Sequence, residues 1–185
     1  MRALLTMGIS LALGLSAGTA VAQGANGVAC VFATLSEPTR AALVDTLANQ
    51  DAPMSELQAR QAEMQPAVQA CTRSQGWTTR EQQELSFAYA LHAAQLVGVG
   101  RQLQALGVDP QSVEALYPSL PPGAEEKLVR TDLTDAESAE LVDSMRTFLS
   151  SNGPAREAPA RGLAFEFLKY VSLLFDVDRR FSAIG

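Results

Sequence analysis

The strongest constraint on the fold is a seam. Over residues 79–106, Leu85, Tyr89, His92, Leu96, Val99, Leu103 and Leu106 recur at spacings of 4, 3, 4, 3, 4 and 3. That rhythm keeps one face of an α-helix apolar for its whole length and asks for a partner helix along it. Residues 158–181 repeat it with Leu163, Phe167, Tyr170, Leu174, Val177 and Phe181. A second row at Ala164, Leu168, Val171 and Phe175 widens that face enough for packing on two sides, so this helix is expected at the centre of a bundle. Residues 135–150 carry a narrower stripe of Leu141, Val142, Met145, Phe148 and Leu149, as an outer helix would.

No run of alternating β-branched residues bounded by turn chemistry occurs, while Ala, Leu, Gln, Glu and Arg dominate, so the expected class is all-α. Helix starts are marked by Ser55 with Gln58, Thr78 with Glu81 and Thr134 with Glu137, each spaced as a capping box, and by Asp109-Pro110. Gly76, Gly107 and Gly153 mark stops that call for a left-handed residue. These signs predict helices near 28–49, 55–73, 79–106, 110–116, 124–131, 135–150 and 158–181. The architecture expected is a single up-and-down-like bundle of four to five main helices, with short extra helices and one intrachain disulfide.

Residues 1–22 stand apart. Arg2 is followed by an apolar stretch of about 15 residues and by Ala20-Val21-Ala22, the three parts of a secretory signal peptide. Such a stretch is too short for a permanent membrane span. Cleavage is expected between Ala22 and Gln23, leaving 23–185 as the bundle domain in the periplasm or outside the cell. A lipoprotein acylated at Cys30 is the rival, disfavoured because the apolar run ends well before it and no Leu sits three residues ahead.

Export places Cys30 and Cys71 in an oxidising space, and with two cysteines in the chain a disulfide between them is expected. The turn signal Asn49-Gln50-Asp51-Ala52-Pro53 lies midway between them, so a helical hairpin folded there would close its open end with the bond. Pro38 and Pro66 are placed to bend the two arms.

The chemistry-bearing residues are sparse. The net charge of −6, moving to −7 when Arg2 is removed, and the absence of a basic cluster argue against nucleic acid. A lone His, two paired cysteines and no C-x-x-C-H motif leave no metal or haem set, so no cofactor is expected. Gly98-Val99-Gly100 lacks both the third glycine and the strand-to-helix context of a dinucleotide fingerprint, and reads instead as a thin helix face. Glu125-Glu126 suits a helix amino end, and Asp176 with Asp178 suits surface pairs with Arg179 and Arg180.

His92, Gly98 and Tyr170 are candidates for a ligand site or a protonation switch, and Trp77 for a partner's anchor. The functional expectation is a non-catalytic exported protein that binds an envelope protein as adaptor, inhibitor or chaperone. One alternative is a carrier holding an apolar ligand between His92, Gly98 and the aromatic residues Phe165, Phe167, Tyr170 and Phe175. An envelope hydrolase is the other.

If the leader is read correctly, the protein recovered from the cell envelope begins at Gln23, and Leu in place of both Ala20 and Ala22 leaves the precursor uncut. Mass spectrometry of the intact protein checks this. A chain still starting at Met1, or one starting at an acylated Cys30, would refute it.

Overall fold

The computed structural model describes residues 27–49, 51–153 and 157–184; the proposed leader and its cleavage site lie outside them. The described residues are helical, with no strand among them. The helices are α1 (Cys30–Thr34), α2 (Glu37–Ala48), α3 (Met54–Gln75), α4 (Arg80–Ala105), α5 (Pro110–Glu114), α6 (Ala124–Val129), α7 (Asp135–Asn152) and α8 (Ala158–Ile184). Single 3-10 turns occupy Gly27–Ala29 and Tyr117–Ser119.

The predicted helix at 28–49 is broken after Thr34. Pro38 has no N–H, and its ring would clash with the Thr34 carbonyl if the helix ran on. Ser36 offers the chain another course: its hydroxyl accepts from the Thr39 N–H at 3.3 Å and starts α2 with Pro38 in the first turn. Arg40 then covers the end of α1, donating to the carbonyls of Ala33 at 3.4 Å and Leu35 at 3.0 Å. Pro66 has no such effect, and α3 continues through it.

Two start signals shift. α3 begins at Met54 with Pro53 before it, so Ser55 lies inside the first turn and caps nothing. The capping box of α4 belongs to Thr79 and Gln82, one residue beyond the expected pair. Thr134 with Glu137 caps α7 as expected, and the Asp109 carboxylate accepts from Gln111 N–H at 3.1 Å to open α5. Gly76, at φ 66°, closes α3 in the left-handed conformation. Gly153 does not: its φ is −87°, and what it supplies is room, because a Cβ there would stand 2.7 Å from the Leu149 carbonyl oxygen.

Two larger apolar cores and a small third cluster of Val28, Leu85 and Val177 are joined by α4. On one side Ala90 and Ala94 of α4 meet Val31, Leu43, Val44, Met64, Val68 and Trp77. On the other, Leu96, Val99 and Leu103 meet Ala164, Phe167, Leu168 and Val171 of α8, with Leu128 of α6 and Met145 of α7 beyond. The expectation that α8 alone would be central is therefore shared out. α8 packs on α4 and on α5, α6 and α7, but α4 carries the contact with α1, α2 and α3.

The side of α4 that meets α2 is thin. Ala90, Ala94 and Gly98 follow each other at a spacing of four, and a Cβ built on Gly98 would come 3.1 Å from the Ala48 methyl. Gly98 thus costs α4 some intrinsic helicity and lets α2 approach.

Cys30 and Cys71 form the disulfide, their Cα atoms 5.9 Å apart. Both are buried, with the Cys71 sulfur 3.5 Å from the Thr34 hydroxyl. The bond joins α1 to α3 at the end of the hairpin away from the 49–53 turn, where the Asn49 side chain accepts from Asp51 N–H at 3.1 Å. A Cys30 sulfur bonded to Cys71 is not available for acylation.

Removing this cross-link frees a loop whose ends are 41 positions apart in the sequence. Replacing both cysteines with alanine is expected to cost about 2 to 5 kcal/mol, read as a lower urea midpoint than the parent's. An unchanged midpoint would show that packing alone holds the hairpin.

Candidate functional site

His92 stands on α4 where α8 crosses it, half-buried, its ring 6.3 Å from that of Tyr170 and inclined to it by 29°. Its Nδ1 lies 3.1 Å from Gln95 Oε1, one turn along the same helix. Glutamine is an amide, so the pair orients the imidazole without supplying a carboxylate that would make it a stronger base. Burial lowers the His92 pKa; the Gln95 contact acts against this, and the charge of Lys169 adds to it. Tyr170 is raised by its own burial and by Glu166.

The sequence grouped His92 and Tyr170 with Gly98, and the fold separates them. Gly98 faces α2, where Ala48 fills the space a side chain would take. The four aromatic residues of α8 also part company. Phe167 is in the core near Gly100, Phe175 stacks on Tyr117 with ring centroids 5.0 Å apart, and Phe165 faces α7. They do not line one cavity.

Trp77 is 7% exposed and meets Phe181 edge to face with centroids 5.7 Å apart. Its ring holds the far end of α8 against the first core, so a partner would not meet it at the surface of this fold. Glu125 and Glu126 lie in the first turn of α6, and Asp176 pairs with Arg179. Among the described residues no group of three or more His, Cys, Asp or Glu is placed to hold a metal ion. No helix among them is long and apolar enough to cross a membrane.

Two open hollows lie elsewhere, on the flanks of α7. One flank has an open hollow of about 630 Å³ with Pro121, Glu140, Asp143, Thr147 and Phe148 on its walls. The other has a smaller cleft of about 240 Å³, where Val142, Arg146 and Leu149 of α7 face Arg161, Gly162 and Phe165 of α8. Arg161 donates to the Ser150 hydroxyl at 2.7 Å across the cleft's edge, and Arg146 to Asp143 at 2.9 Å. Sequence reading noted Val142 as part of a stripe and Phe165 as part of an aromatic wall facing His92, and passed over both arginines. The signal for Arg146 was its place between Val142 and Leu149 on an otherwise apolar stripe.

Nearby, burial pushes the Tyr117 phenol up to about 12, with Ser172 pulling it back and Glu125 reinforcing the rise. Its hydroxyl is enclosed, with no hydrogen-bond partner at good geometry among the described residues.

Because the folded chain binds a proton at His92 less readily than the ordinary imidazole value of 6.5, the unfolded chain gains the proton first on acidification. The contribution of neutral His92 to stability is present above that value and is lost as pH falls through it toward the folded value. The thermal midpoint is therefore expected to fall more between pH 7 and pH 5 in the parent than in His92→Gln. Equal falls in the two proteins would show that His92 is not responsible.

No protein-family model, no curated protein and no solved structure matches this chain, so the geometry alone bears on its function.

Proposed function

We propose that this is an exported, non-catalytic protein, a single up-and-down-like bundle of four to five main helices that binds an envelope protein in the periplasm. The observation that carries the reading is the position of two open hollows. Both hollows flank α7, an outer helix held by α6 and α8, and both open to solvent rather than into a core. Open hollows beside an exposed helix suit side chains offered by a partner.

The two alternatives draw less support. A carrier needs an enclosed apolar site, and the seam where one was expected is filled: Tyr170 lies over His92 and Ala48 fits against Gly98. A hydrolase built on His92 needs a hydroxyl or carboxylate at the imidazole, and its Nδ1 meets the Gln95 amide. The leader-like residues 1–22 and the Cys30–Cys71 bond are what favour an oxidising compartment.

A photoreactive side chain at Thr147 or Val142, on the two flanks of α7, is expected to give discrete cross-linked adducts in the cell envelope, whereas one at Ala62 on the exposed side of α3 gives none. Gel mobility and mass spectrometry of the adducts check this. Bare α7 positions, or the same adducts from all three sites, would reject the reading.

A further inference from the structure

The cleft between α7 and α8 has a chemistry of its own. The two helices run antiparallel there, and each presents a regular set of positions: Val142, Arg146 and Leu149 on α7, and Arg161, Gly162 and Phe165 on α8. Leu149 is buried and forms the floor, while Val142 is 40% exposed, a large apolar side chain left open at the rim. Opposite it, a Cβ on Gly162 would meet nothing within 4 Å, so the α8 wall opens at its middle. The result is an apolar trough about 10 Å long, two helical turns, between parallel ridges.

Its volume decides what size of group it takes. About 240 Å³ is below the range of enclosed small-molecule sites and is open along one side, which suits one or two anchoring side chains laid in from above. Its charge decides the sign. One arginine stands on each wall midway along, in a chain whose net charge is −6, whereas the hollow on the opposite flank of α7 is lined by Glu140 and Asp143. The polar partners of the arginines do not lock them. The Arg146 to Asp143 pair is exposed on both sides, at 61% and 72%, and the Arg161 to Ser150 bond joins a guanidinium to a neutral hydroxyl. Exposed pairs of this kind are weak and can exchange for a better carboxylate.

We infer that the α7–α8 cleft receives an acidic amphipathic helix of a partner protein, with its apolar residues seated between Val142 and Phe165 and its carboxylates meeting Arg146 and Arg161. Helix-in-groove recognition lays the apolar face of an amphipathic helix into such a groove, and a cleft of this volume seats one or two of its anchoring side chains. The inference rests on the protein-binding reading above and names the segment such a partner would present.

The test uses the full mature chain and two synthetic helical peptides of about 15 residues, both with Leu at i, i+3, i+4 and i+7, one with Glu and one with Lys beside the stripe. The Glu peptide is expected to bind about fivefold or more tightly than the Lys peptide, as two rim ion pairs would give. Amide shifts on binding should centre on residues 142–149 and 158–165. Exchanging both arginines for glutamate, Arg146→Glu with Arg161→Glu, should invert the preference, and Val142→Lys should weaken both peptides. These surface changes leave the buried Leu149 in place, and an unchanged circular-dichroism melt confirms the fold. Equal binding of the two peptides, binding of neither, or a preference that survives the reversal would overturn the inference. So would light scattering that shows the parent cleft occupied by a second copy of the chain. If the peptides fail while cross-links form at α7, the cleft chemistry is wrong and the protein-binding reading stands; if both fail, both fall.

Discussion

The packing of α4 on α8 is the contact on which the rest of the molecule depends. Leu96, Val99 and Leu103 meet Ala164, Phe167, Leu168 and Val171 along it, and burial of each large side chain is worth about 1.5 to 3 kcal/mol. Everything else is hung from one of these two helices. The disulfide hairpin packs chiefly on α4, through its thin face, while α6 and α7 pack on α8 and α5 touches both helices. Ion pairs add little to this arrangement, since all of those among the described residues join side chains that are at least partly exposed.

Helix type and most helix boundaries were legible because their causes are local. Apolar spacing, Thr134 with Glu137, Asp109-Pro110 and Gly76 act within a few residues of themselves, and the fold uses each of them. The break after Thr34 was missed because the apolar rhythm runs through it, although Pro38 carried the signal. Thr78 and Thr79 are adjacent and equally suited to capping; what separates them is how the chain leaves Trp77, which depends on Phe181.

The candidate site was less legible for the same reason in reverse. Residues six apart on a helix, such as His92 and Gly98, point in different directions, and which direction meets a helix and which meets solvent is settled by the other helices. Gly98 could be read as a point of close approach, but nothing local says that Ala48 is what approaches. The α7–α8 cleft needs Arg146 and Arg161 together, and only the antiparallel course of two separate segments places them on facing walls.

The meeting of Trp77 with Phe181 has a consequence for how the molecule is assembled. The first core holds residues from Cys30 to Ala94, yet Phe181 packs against it from the far end of α8. A chain delivered amino end first would therefore hold an unfinished N-terminal unit, with its single indole unsheltered, until α8 arrives. That arrangement delays closure to a late step, and it makes the one tryptophan an intrinsic reporter of when the final helix docks.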